Sequence, residues 1–251
     1  MAGLQDTRQQ TLPSLEQAQN IVRNRGKFGV RDTSTGKVTP MGLMDAMKMA
    51  YTPDDYKNAY MKALREAGYS DRAVAAMMGV AHGETGGFPI EGMIEHGRYT
   101  DPNRIKALFG SKKPEINKMA KKIAAMDEKS QYNAFYDGRP DLGNVKAGDG
   151  YQYRGRGMVH LTGRQAYEAA DKAMGMNGRL IKNPDLVAST PEMAAKSAIA
   201  FYQQPGKLGS RRDFGLDDVL PIVGGARSSW KDKRSAADDY MTRLTPMLAS
   251  Q

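Results

Sequence analysis

Two consecutive helix signatures between Thr52 and Gly87 constrain this chain more than any other feature. In TPDDYKNAYMKALREAG a threonine precedes proline, acids fill the first turn and a glycine follows the last helical residues, the punctuation of a capped and glycine-stopped helix. SDRAVAAMMGVAHGETGG repeats the scheme, with Ser70 as N-cap and Val74, Met77, Met78 and Ala81 three or four apart on one face. That face predicts a largely buried helix that ends near Glu84 and stops at Gly86 or Gly87. A carboxylate closing an otherwise apolar helix is the anomaly to be explained.

Further helices are expected at PEINKMAKKIAAMDEKS, GRQAYEAADKAMG, TPEMAAKSAIAFYQQ and SAADDYMTRLTPML, while YQYRGRGMVHL alternates as a short strand or hairpin would. The pattern predicts a mainly α fold with a small β element and no internal repeat. Upstream, residues 1 to about 50 are rich in Gln, Thr, Arg and Gly, with one helix-compatible segment, LEQAQNIVRNR, and a turn-prone run, FGVRDTSTGKVTPMG. Residues 1–51 therefore read as an N-terminal extension or attachment arm, and 52–251 as the main domain.

Composition removes several function classes. With 251 residues, 40% hydrophobic and 26% charged, the chain suits one sizeable globular domain plus an appendage. The absence of cysteine excludes disulfide scaffolds, thiolate zinc sites and cysteine nucleophiles. No apolar run of about 18 residues occurs, and the start, MAGLQDTRQQTLPSLEQ, lacks a basic-then-apolar layout, so neither a membrane span nor signal-peptide export is expected. The net charge of +9 implies attraction to polyanions: nucleic acid, an anionic membrane surface or a bacterial wall. Nucleic acid is disfavoured as the main partner, because the basic residues are scattered and no helix-turn-helix, zinc-finger or RNP-like motif is present.

Among the residues that carry chemistry, His82, His96 and His160 lack the HExxH spacing of a metal site, and the GRG of YRGRGMV lacks a P-loop ending. Carboxylates remain. Desolvation of Glu84 at an apolar helix end would raise its pKa and keep a proton for a leaving group, and Glu91 and Glu95 follow on the next loop. One protonated and one ionised carboxyl across a cleft are the working parts of glycoside hydrolysis, and a separation of roughly 6.5–9.5 Å gives inversion. Thr162, in HLTGRQ, has two compatible readings: the start of a capping box with Gln165, or a catalytic hydroxyl.

Five segments in order resemble the glycoside hydrolase family 19 chitinases, and more closely their bacteriophage and bacterial endolysin branch. They are HGETGGF (82–88), IEHGRYT (94–100), GDGYQYRGRGMVHLTGRQAY (148–167), NPDLVASTPEMAAKSAIAFYQ (183–203) and IVGGARSSWKDKR (222–234). The third resembles the family's GDGxxYRGRGxIQLTGRxNY and is highly specific. By this resemblance Glu84 matches the general acid, Glu95 the base that activates water, with Glu91 as a fallback, and Thr162 the hydroxyl that holds that water. Tyr153, Arg154 and His160 match the segment that lines the sugar cleft, and Tyr99 falls in the substrate-binding IEHGRYT segment. His160 replaces the usual Gln, Gly83 stands where His usually precedes the acid, Ala166 where Asn is common, and Val223 where the family carries Asn.

The resemblance implies a lysozyme-like, two-lobed, mainly helical catalytic domain that cleaves β-1,4 bonds to N-acetylated sugars with no metal or cofactor. Lack of cysteine and signal peptide, together with the basic charge, favours a phage lysin acting as a monomer on bacterial peptidoglycan. It would reside in the host cytoplasm before release to the periplasm and wall, or in the virion, with the N-terminal arm meeting phage structural proteins. Three alternatives stand beside it: a lytic transglycosylase, a chitinase, and a catalytically weak glycan-binding structural protein of a phage particle.

Overall fold

The computed structural model describes residues 29–31, 38–40, 43–223 and 230–248, and its architecture is mainly helical. Helices α1 (Leu43–Ala50), α2 (Pro53–Glu66) and α3 (Asp71–Thr85) open the described core. α4 (Pro102–Phe109), α5 (Glu115–Ala124) and α6 (Glu128–Tyr136) follow, then the one-turn α7 (Asp149–Gln152), α8 (Arg164–Ala173) and the short α9 (Arg179–Lys182). α10 (Pro191–Tyr202), α11 (Leu216–Val223) and α12 (Trp230–Leu248) complete the order.

The local signals act as expected at the two opening helices. Thr52 and Asp55 form a reciprocal capping box at α2, and the Ser70 hydroxyl accepts from the Ala73 N–H at the start of α3. Gly86, left-handed at φ 73°, stops α3. Two boundaries differ from the sequence reading. The expected single helix over PEINKMAKKIAAMDEKS is two, because Asp127 takes an extended conformation and caps α6 through the Ser130 N–H. The alternating YQYRGRGMVHL forms α7 and a series of turns; only isolated bridges, Arg156 with Leu161 and with Ile94, remain of the expected strand. The two-stranded antiparallel sheet lies instead at β1 (Gly29–Arg31) and β2 (Val38–Pro40), within the turn-prone run. The segment LEQAQNIVRNR, and residues 224–229 of IVGGARSSWKDKR, lie outside the described residues.

Two hydrophobic clusters organise the helices. The larger runs from Met47 of α1 through Tyr56, Tyr60 and Met77 to Tyr202 and Tyr240. Here α2 lies on α10, and α12 lies along α3. The α3–α12 contact is close because of small residues: a side-chain carbon added at Gly79 would fall 2.6 Å from the Ala237 Cβ. The smaller cluster joins α4, α5 and α6 through Ile105, Phe109, Ile116, Ile123 and Phe135, with the Phe109 and Phe135 rings stacked at 3.9 Å. Gln131, fully buried, fastens this cluster to the chain by accepting from the Tyr99 N–H and donating to the Ile123 carbonyl. The segment 88–98 and the turns around 148–163 pack into the larger cluster through Phe88, Met93, Ile94, Tyr153, Met158 and Leu161, and the candidate site is built there.

Candidate active site

Glu84 owes its position to the way α3 ends. Thr85 is buried; its hydroxyl donates to the Ala81 carbonyl and accepts from the Phe88 N–H, which turns the chain sharply after the helix. Phe88 pays for that turn with a positive φ of 66°. Glu84, just before this turn, keeps 19% of its side chain exposed, and an ammonium meets it: Lys233 Nζ of α12 lies 2.5 Å from Glu84 Oε1 and is 3% exposed. The apolar setting expected for Glu84 is thus an ion pair. Gly83 belongs to the same contact, since a Cβ there would stand 2.4 Å from the Lys233 Cγ; the glycine makes room for the lysine stem.

Glu95 is held by neutral donors. Its Oε2 accepts from the Gly155 N–H at 3.0 Å and its Oε1 from the Tyr136 hydroxyl at 3.1 Å. Burial, and then the charge of Glu95, push the Tyr136 phenol well above its usual pKa, which keeps it a donor. The backbone is paired as well: Glu95 N–H donates to the Gly155 carbonyl and Gly157 N–H to the Met93 carbonyl. Arg154 adds a bond from Nε to the Glu95 carbonyl, a second from Nη1 to the Tyr151 carbonyl, and lies 4.0 Å above the Tyr151 ring. Burial and the neighbouring Arg156 guanidinium draw its pKa below the usual arginine range.

A single joint connects the two carboxylate-bearing segments. Gly92 sits directly against the end of α3, where a Cβ would come within 1.9 Å of the Thr85 carbonyl oxygen. The Gly92 carbonyl in turn is 2.7 Å from His160 Nε2. His160 is strained, at φ 44°, and its Cβ would lie 2.9 Å from one added at Gly155, the residue whose N–H holds Glu95. Thr162 completes this group by donating its hydroxyl hydrogen to the His160 carbonyl at 2.6 Å. The capping-box reading does not hold, because α8 begins after Gly163, at φ 90°, with no side-chain cap.

The turn is supported from below by Asp149 and Arg164, whose side chains meet at 2.5 Å beneath the Tyr153 ring. Burial would raise Asp149, but the Arg164 hydrogen bond and the Lys146 N–H outweigh it and hold the carboxyl below its ordinary value.

Of the expected residues, Glu95, Arg154, His160 and Thr162 are drawn into one group, and Glu84 is joined to it through Gly92. Tyr153 lies beneath, 1% exposed, its ring against Tyr167 and its hydroxyl on the Ile181 carbonyl. Tyr99 packs its ring edge-on to Phe109 and Phe135 in the small cluster. Glu91, the fallback base, is exposed and ion-paired to Lys48 at 2.5 Å, whose hydrogen bond holds it below the usual carboxylate range. Beside the group opens a cleft of about 910 Å³, with Glu91, His96, Tyr151 and Arg154 on its walls. Among the described residues no three His, Asp or Glu side chains are arranged to hold a metal ion.

Lys233, Tyr136 and Gly92 were not found by sequence reasoning. A signal existed for the first: Lys233 falls on the buried stripe of α12 with Ala237 and Tyr240, and a lysine on a core-facing stripe calls for a partner. Nothing local marks the other two, whose roles exist only across the fold.

Comparison with known proteins bears on the second half of this site. The family model described as Chitinase class I, for glycoside hydrolase family 19, matches residues 127–214, which include Arg154, His160 and Thr162 but neither Glu84 nor Glu95. A glycosyl hydrolase family 19 domain-containing protein of Haemophilus influenzae is 34% identical over 71 residues, 28% of this chain and 34% of that protein. The acidic 26 kDa endochitinase of Solanum lycopersicum is 43% identical over 51 residues, 20% of each chain. The chain thus spans about a third or less of the length of these curated relatives. A solved chitinase C mutant aligns over 94% of this chain and 92% of its own, at 17% identity and a TM-score of 0.39. Over residues 127–214 the chain is thus similar to glycoside hydrolase family 19, of the chitinase class I type.

Proposed function

We propose that this protein is a peptidoglycan-degrading lysin of phage type, hydrolysing β-1,4 bonds between N-acetylmuramic acid and N-acetylglucosamine by an inverting two-carboxylate mechanism. The observation that carries the reading is the joint through Gly92 and His160, which ties the Glu84 helix end to the turn that holds Glu95. A family 19 segment supplies that turn.

In this mechanism the protonated form of Glu84 gives its proton to the glycosidic oxygen, and Glu95 takes a proton from the water that attacks the anomeric carbon from the opposite face. Gly155 N–H and Tyr136 O–H fix the orientation of the Glu95 carboxylate. Thr162 has committed its hydroxyl hydrogen to His160, so toward a water it acts only as acceptor, which suits it to orient the nucleophile. Lys233 is a positioning residue that holds the Glu84 carboxyl between α3 and α12.

The catalytic domain in this reading includes α1, because Met47 is buried in the large cluster, and the residues before it serve attachment. The protein acts without cofactor, as a monomer, in the host before lysis or from the virion.

Mass spectrometry of fragments released from purified Gram-negative sacculi tests the proposal, with Glu84→Gln as the blank. Reducing-end muropeptides from the wild type alone support it. Fragments with 1,6-anhydro ends would replace it by a transglycosylase, and no fragments from either protein would leave a glycan-binding role.

A further inference from the structure

The cleft beside the catalytic group carries more positive charge than its own carboxylates neutralise. Three carboxylates line it. Glu91 is paired to Lys48, and Asp185 to Arg156, whose Nε reaches it at 2.9 Å; Glu128 is the third. Against these three the same walls present four cations, Arg154, Lys129 and Lys182 as well as Arg156.

Arg154 is the fixed member of this set. Its Nε and Nη1 are spent on the Glu95 and Tyr151 carbonyls, its plane rests on the Tyr151 ring, and the five donors of a guanidinium exceed those two bonds. It is half-buried beside a second guanidinium, that of Arg156, a placement that a bound anion would relieve. Lys129, at the start of α6, and Lys182, at the end of α9, are exposed on opposite sides of Tyr151 in sequence and extend the charge along the walls.

We propose that Arg154, Lys129 and Lys182 form a carboxylate-accepting subsite, through which the enzyme selects a glycan that bears carboxylates over a neutral one. The inference rests on the reading of this chain as a glycan hydrolase and adds the basis of its substrate choice. The carboxylate can come from a lactyl ether on the sugar or from a peptide attached to it, and both present the same planar anion to a guanidinium.

The test compares four substrates for the full-length protein: peptide-free glycan strands with free lactyl carboxylates, intact sacculi, and each of these after carbodiimide amidation. The wild type is expected to show kcat/KM about tenfold or more higher on free than on amidated strands. In a Lys129→Gln/Lys182→Gln variant, both positions being exposed, the ratio should fall several-fold toward one, and in Arg154→Gln further. A preference shown by sacculi and absent from the peptide-free strands assigns the carboxylate to the peptide and retains the subsite. Equal kcat/KM on free and amidated material of both kinds, or a ratio unchanged in the lysine variant, overturns it. If the wild type cleaves nothing, the hydrolase reading has failed. Calorimetry of free against amidated strands then decides the subsite alone, with tighter binding of the free strands supporting it and equal binding rejecting it.

Discussion

Glu84 and Glu95 stand on two segments that solve the same problem by opposite means. Glu84 ends a long helix and is met by a full charge, the Lys233 ammonium, from a residue 149 positions away. Glu95 lies on an extended segment and is met by an amide N–H and a phenol, with its backbone laddered to the same turn. A charged partner fixes its mate strongly but leaves an uncompensated ion when removed. Neutral donors can be lost one at a time at modest cost. The Glu84 side of the site is therefore stiff and fragile, the Glu95 side graded and robust.

The largest effect that would break this comparison concerns catalysis itself. Glu84→Gln and Glu95→Gln should each lower hydrolysis of sacculi by about a thousandfold, within the range of general acid–base groups, while Glu91→Gln stays within a few-fold. Reducing-sugar release measures all three. The reverse ranking of Glu91 and Glu95 would transfer the base role to the exposed, lysine-paired carboxylate.

Next comes stability. Lys233→Ala strands the largely buried Glu84 carboxylate and should cost about 3–5 kcal/mol in denaturant unfolding. Adding Glu84→Gln to it should recover part of that loss, a coupling that a double-mutant cycle reads directly. Full additivity would mean that the ion pair contributes nothing specific.

A third experiment compares ion pairs by their distance in sequence. Asp149 and Arg164, 15 positions apart, buttress the turn beside Glu95, and Asp149→Asn should cost about 2 kcal/mol at neutral pH. Because the native pKa of Asp149 is depressed, its contribution is complete above the unfolded carboxylate value of about 3.9 and is lost as the pH falls below that, through the native value. The stability difference between wild type and Asp149→Asn should therefore shrink below about pH 4. A difference that is constant down to pH 2 would refute the assignment.

The smallest effect belongs to the graded side. Tyr136→Phe removes one donor from Glu95 and should cost about 1 kcal/mol, with activity falling less than in Lys233→Ala. A loss as large as that of Lys233→Ala would abolish the contrast between the two segments.

The elements of this fold were legible where their causes are local. Thr52 with Asp55, Ser70 and Gly86 sit within a few residues of the backbone groups they satisfy, so their pattern survives in one dimension. The alternation of YQYRGRGMVHL misled for the complementary reason. Residues 155–159 are all buried, by contacts with Met93–Glu95 and α8 rather than by strand pairing, so the alternation in the sequence marks no strand. The break at Asp127 was hidden because Ala125, Met126 and Asp127 are all tolerated in helices, and it is the packing of α6 on the small cluster that selects the cap.

By itself, the sequence determined a mainly helical chain, the helix that ends near Glu84, the carboxylates available for acid–base work and the likeness to family 19 of the segment around Arg154 and Thr162. Only the tertiary structure decided what each carboxylate meets. It brought Lys233 to Glu84, Tyr136 and Gly155 to Glu95, and turned Thr162 from a helix cap into a bond to His160. The physical reason is that capping and helical periodicity act over one or two turns of chain. The electrostatic environment of a buried carboxylate is set by whatever the packed fold carries to within a few ångströms of it, however distant in sequence.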